Sequence, residues 1–104
     1  MCGIVGQFNH GDGAPMGEGA LRRMCAAIVH RGPDHEGHFV DGAFGMGMTR
    51  LSINDLAGGD QPLRNEDGSV VVVCNGEIYH SPALRRTLES RGHRFDSHSD
   101  VAVI

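Results

Sequence analysis

The residue pattern predicts a small α+β domain, and three observations carry that reading. Phe44, Met46 and Met48 alternate with Ala43, Gly45 and Gly47, the two-residue period of a strand over 43–49. Leu21, Met24, Cys25, Ile28 and Val29 recur at i, i+3, i+4, i+7 and i+8, one apolar helical face with Arg22 and Arg23 outside it. Asp67-Gly68 then stands immediately ahead of Val70-Val71-Val72-Val73-Cys74, a hairpin signal feeding an apolar strand.

The remaining elements follow in order. Residues 2–8 read as a first strand, with Ile4, Val5 and Phe8 set among glycines that let other backbone approach closely. Gly11-Asp12-Gly13-Ala14-Pro15 is a loop by its turn residues. The first helix stops just after His30, at Gly32-Pro33. Residues 37–40 form a short strand before that over 43–49, and residues 57–62 are irregular. The valine run is expected to be buried on both faces. Ser81-Pro82 supplies an N-cap and an N1 proline for a second helix, with Leu84 and Leu88 inward and Gly92 at its stop. Residues 93–97 are extended. The chain then reaches Val101-Ala102-Val103-Ile104, an apolar segment expected to continue into a further element.

Composition narrows the function. With 104 residues the chain is at most one domain; 39% hydrophobic and 21% charged residues place it among globular chains. Its nine basic residues are all arginine, its net charge is −4, and it has one tyrosine, four phenylalanines and no tryptophan. A nucleic-acid partner is therefore not expected, because a basic patch interleaved with aromatics is missing. The longest apolar run is too short for a membrane span, and the N-terminus lacks the basic and apolar regions of a secretory signal. Three cysteines with no CxxC spacing argue against a disulfide framework, so a cytoplasmic, reduced protein is expected.

Several motifs fail. Without lysine there is no phosphate-binding GxxxxGK[ST] loop. Gly45-Met46-Gly47-Met48-Thr49-Arg50 begins like a dinucleotide fingerprint but breaks at its last position and precedes no helical pattern. His30, His35 and His38 match no standard ligand spacing, and no metal site is assigned. Cys25 falls on the buried helical stripe, and Cys74 at the end of the valine run is read as core.

Cys2 is different. Removal of Met1 would give one residue a thiol and a free α-amine, and the amine is a weak base tethered within reach of the thiol proton. Taken alone, Met1-Cys2 also fits a small apolar residue in a first strand. Four further segments alter that: His30-Arg31-Gly32-Pro33-Asp34, Arg50-Leu51-Ser52-Ile53, Gln61-Pro62 and Asn75-Gly76-Glu77-Ile78-Tyr79. With Cys2 they resemble, across all 104 residues and in order, the class II glutamine amidotransferases with an N-terminal nucleophile. The asparagine synthetase branch is the one they match, through RGPD, RLSI and NGEIY together.

The resemblance implies a four-layer αββα sandwich with two antiparallel sheets, here incomplete: residues 1–104 would be the first half of the glutaminase domain, with the synthetase domain absent. It implies that Cys2 attacks the side-chain amide of L-glutamine, giving glutamate and ammonia through a thioester. Asn75 and Gly76 would form the oxyanion hole. Arg50 would grip the substrate α-carboxylate, with Leu51, Ser52, Ile53 and Asn54 lining the same stretch, and Glu77 and Asp100 would receive the α-ammonium. His30 to Asp34 would shape the loop over the pocket. No cofactor is implied for this chain; ATP and magnesium are implied for the synthetase domain joined to it in the complete protein. Ala102, Met48-Thr49 and His80 depart from the usual family pattern, and Ala102 weakens the alignment at Asp100. The alternatives are a non-catalytic glutamine-binding or interaction module and a truncated, inactive fragment. The oligomeric state, a homodimer included, stays open.

Overall fold

A computed structural model describes residues 1–52 and 59–104. Its elements run β1 (Gly3–Phe8), α1 (Glu18–Ala27), a 3-10 turn (Val29–Arg31), β2 (His35–Asp41), β3 (Phe44–Arg50), β4 (Leu63–Arg64), β5 (Val71–Val72), α2 (Ser81–Ser90) and a closing 3-10 turn (Asp100–Val103). Helices and antiparallel sheets are segregated, as in an α+β fold, and the arrangement is consistent with part of an N-terminal-nucleophile sandwich.

The main sheet has the order β1-β3-β2, both pairings antiparallel, with Gly3 opposite Thr49 and His35 opposite Arg50. Strand alternation gives β3 two unlike faces. Gly45, Gly47 and Thr49 look toward α1, whereas Met46, Met48 and Arg50 look the other way. The glycines admit the helix: a Cβ on Gly45 would sit 2.7 Å from Met16 Cγ and 2.8 Å from Leu21 Cδ1, closer than packed carbon atoms tolerate. Leu21 and Cys25 are completely buried in that contact. Burial pushes the Cys25 thiol above its usual range, and the Glu36 carboxylate adds to the shift.

The opposite face is only partly covered. Gln61-Pro62, joined by a cis peptide bond, crosses Gly37 beside Met48, and Met48 is 2% exposed. Farther along the same face Ile4, Phe8 and Phe44 are exposed, Phe8 by 63%. Among the described residues no layer lies over them.

Several expectations are corrected. The valine run is not a doubly buried strand: only Val71 and Val72 pair, with β4, and Val70 is 57% exposed. A two-stranded hairpin has too little neighbouring structure to cover both faces. Cys74 is half-buried rather than core. Leu84 is 41% exposed, while Arg85 and Leu88 are the half-buried positions of α2, which packs on the Asp100–Val103 turn. His80, not Ser81, is the N-cap of α2, since its carbonyl accepts from both Ala83 and Leu84. In the closing apolar segment Val101 and Val103 are buried in a 3-10 turn, whereas Ile104 is 67% exposed. The strands over 35–41 and 44–50, and the stop of α2 at Gly92 (φ 97°), agree with the sequence reading. The irregular stretch 57–62 is described only from Gly59 onward, where it has no regular structure.

Candidate active site

Cys2 is placed by its neighbours on three segments. It precedes β1, whose register sets its backbone beside the end of β3. The Leu51 N–H points at Cys2 Sγ at 3.3 Å, and the thiol lies 3.7 Å from the Leu51 carbonyl as donor. The Cys2 carbonyl accepts from Arg31 Nε at 3.2 Å and from Asn75 Nδ2 at 2.9 Å. Both bonds reach across long sequence separations, so the three motifs around residues 2, 31 and 75 meet at one peptide group.

The His30–Asp34 loop is held by equally specific contacts. A Cβ on Gly32 would fall 2.5 Å from Arg50 C and Thr49 O, so only glycine permits this passage over the end of β3. Beyond it the Asp34 N–H donates to the Arg50 carbonyl at 3.0 Å, and Asp34 Oδ2 accepts from the Ser52 N–H at 2.8 Å. This loop therefore buttresses the strand end that carries Arg50. Its residues were expected to shape the loop over the pocket; none of them lines the cavity, and Arg31 and Asp34 instead bond the backbone at Cys2 and Ser52.

Arg50 is 5% exposed, with Nη1 at 2.6 Å from Asp60 Oδ1. Such a short charge-assisted contact fixes the position of the guanidinium. Asp60 had no signal in the sequence beyond being one of thirteen acidic residues. Gln61 is the other residue whose role was not assigned: its side-chain amide donates to the Cys74 carbonyl at 3.0 Å and accepts from the Cys74 N–H at 2.6 Å. It thus mimics a strand partner and holds the segment leading to Asn75 and Gly76.

On the far side, the Asp100 carboxylate accepts from the Ile78 N–H at 2.6 Å. Arg85 of α2 donates to the carbonyls of Ser97 and Ser99 at 2.9 and 3.1 Å and stacks over Phe95, 4.5 Å from its centroid. The helix thereby sets the height of the turn that presents Asp100.

These segments border an open cavity of about 310 Å³ lined by Cys2, Arg50, Asn75, Gly76, Glu77 and Asp100, among others. Its size suits a small ligand. Its lining thus includes one buried cation, two acidic residues, a thiol and a carboxamide. Leu51 lines the cavity and touches the thiol; Ser52 is tied to Asp34 and does not line it. Ile53 and Asn54 lie outside the described residues. A larger cavity of about 900 Å³ lies between the β4–β5 hairpin and residues 93–97, but no cysteine lines it. Volume does not choose the site here; the convergence of reactive groups does.

All 104 residues match the family described as the glutamine amidotransferase domain. The chain is 44% identical over 106 residues to asparagine synthetase [glutamine-hydrolyzing] 1 of Bacillus subtilis strain 168, covering 100% of the chain and 17% of that protein. It is likewise 44% identical over 108 residues to asparagine synthetase [glutamine-hydrolyzing] 2 of the same organism, covering 100% of the chain and 14% of the relative. With asparagine synthetase [glutamine-hydrolyzing] 1 of Arabidopsis thaliana it shares 38% identity over 104 residues, 100% of the chain and 18% of the relative. The chain thus spans under one fifth of the length of these relatives. It belongs to the glutamine amidotransferase domain family.

Proposed function

We propose that this chain is the glutaminase portion of an asparagine-synthetase-like amidotransferase and that Cys2 is its nucleophile. The observation that carries the proposal is the meeting of Cys2, Arg50, Asn75 and Asp100 around one small cavity.

The chemistry requires Met1 to be removed, because an amide nitrogen on Cys2 is no base whereas the α-amine is. The amine takes the thiol proton, and the thiolate adds to the side-chain carbonyl carbon of glutamine. Charge develops on the carbonyl oxygen, where Asn75 Nδ2 and the Gly76 N–H would serve as donors. The Asn75 amide has two hydrogens, and its bond to the Cys2 carbonyl uses one, leaving the other for the oxyanion. Collapse breaks the C–N bond, the ammonium proton passes to the leaving nitrogen, and ammonia departs. Water then adds to the thioester, the sulfur leaves with its proton restored, and glutamate is released. Arg50 holds the α-carboxylate while Glu77 and Asp100 receive the α-ammonium, so the amide carbon is delivered to the thiol in one pose.

We assign the use of the ammonia to a synthetase domain in the same, longer protein, with a carboxylate activated by ATP and magnesium as acceptor. The absence of lysine from residues 1–104 excludes a phosphate-binding GxxxxGK[ST] loop here, consistent with that division. Ammonia release measured on the full-length, Met1-processed protein tests the reading. Release that disappears in Cys2→Ser while glutamine binding persists is the expected result. Wild-type binding of glutamine without release would identify a binding module instead.

A further inference from the structure

A second cluster of reactive side chains lies on the other face of the main sheet, beneath α1. Glu36 and His38 occupy alternate positions of β2, opposite Thr49 and Gly47, so both point to the α1 side. Cys25 descends from α1 onto the same spot. One ligand atom from each of Cys25, Glu36 and His38 lies within 4.8 Å of the other two.

Two observations single this cluster out from ordinary packing. His38 Nε2 is buried and makes no hydrogen bond. It stands 2.8 Å from Glu36 Oε1, an ion-pair distance, yet the geometry is not that of a hydrogen bond. A buried ring nitrogen in that state is costly unless something else takes its lone pair. The second observation is the space itself. A Cβ on Gly47 would lie 2.7 Å from Cys25 Sγ and 3.2 Å from His38 Cδ2, so any larger residue would fill the floor of the cluster.

We propose that Cys25, Glu36 and His38 bind a zinc-like divalent cation that ties α1 to β2. Thiolate, imidazole and carboxylate are each zinc donors, and water would complete a tetrahedron. Bonds of about 2.3 Å to sulfur and 2.0–2.2 Å to nitrogen and oxygen require donor atoms about 3.3–3.6 Å apart. The widest pair must therefore close by about 1 Å and the Glu36–His38 contact must open slightly. Cys25 is wholly buried, the His38 side chain is 11% exposed and that of Glu36 34% exposed, so the cation enters past Glu36. The spacing of His30, His35 and His38 does not reveal this site. The cluster instead takes one histidine and draws its other members from a helix and from the adjacent position on the strand face.

The test is titration of the metal-free, full-length protein, freed of any affinity tag, with cobalt(II) as the zinc probe. One cobalt per chain with thiolate-to-metal charge-transfer absorption is expected. That band should vanish in Cys25→Ser and persist in Cys2→Ser. Glu36→Gln, at a half-exposed position that folding tolerates, should bind cobalt about tenfold or more weakly. Zinc should raise the unfolding temperature of the wild type but not of Cys25→Ser. No thiolate band, a band unchanged in Cys25→Ser, or a band lost in Cys2→Ser would each overturn the site. Glutaminase activity is not part of the readout, so the outcome is independent of the role of Cys2.

Discussion

Arg50→Lys isolates what the guanidinium contributes. The substitution keeps a cation at a position only 5% exposed and keeps a partner for Asp60, but it replaces a planar fork with a point charge. If Arg50 grips the substrate α-carboxylate with two parallel bonds, lysine retains one. A hydrogen bond to a charged group contributes about 1.5–3 kcal/mol. At 1.36 kcal/mol per factor of ten, kcat/KM for glutamine should fall by roughly 10- to 150-fold. The α-carboxylate is distant from the reacting amide, so the loss should fall mainly on KM. Asp60→Asn is the control: its carboxylate is about half exposed, and an ion pair of that kind is worth up to about 1 kcal/mol, or roughly fivefold. The assay is steady-state ammonia release against glutamine concentration. An Arg50→Lys enzyme with unchanged KM, or one whose loss lies wholly in kcat, would refute the assignment of Arg50 to substrate binding.

Other expectations follow from the same geometry. Asn75→Ala removes both an oxyanion donor and the bond to the Cys2 carbonyl, and kcat should fall by about 10²–10³ with the fold retained by circular dichroism. Leu21→Ala empties a fully buried site against Gly45 and should cost about 2–5 kcal/mol in denaturant unfolding. Glu66 is held below the usual carboxylate range by its own backbone N–H, by the Arg94 N–H and by His93, and Asp67 by Ser69. A lowered folded-state value means that each contributes stability above its unfolded pKa and loses it as pH falls through the folded one. Carboxyl titration by NMR should therefore show both protonating below the usual range for their residue types, with the hairpin weakening only in acid.

Much of the local structure was legible because it follows from short-range periodicity. The alternation over 43–49 gives β3, and its glycines fall on the helix side because bulkier residues there would collide with Met16, Leu21 and Cys25. The stripe from Leu21 to Cys25 gives the buried face of α1. Burial on the second half was not legible, since it depends on what lies above each face rather than on the residues in it. Val70 and Leu84 are apolar by sequence and exposed in the fold for that reason.

The site divides the same way. The motifs carry Cys2, Arg50, Asn75, Gly76 and Glu77, and the resemblance adds Asp100 outside them; all six line the cavity. Arg31, Asp34 and Gln61 lie in quoted motifs but their tertiary bonds to Cys2, Ser52 and Cys74 were not legible there, and Asp60, the partner of Arg50, had no motif at all. Membrane insertion by a helix is not supported: among the described residues no helix is long and apolar enough to cross a bilayer.

The most direct test of the nucleophile is mass spectrometry of the full-length protein after exposure to a glutamine analogue bearing an electrophile. The account predicts one adduct, on Cys2 of Met1-processed chains, slowed by free glutamine and absent while Met1 remains. An adduct on Cys74 or Cys25 in place of Cys2, or equal labelling of chains that retain Met1, would contradict it.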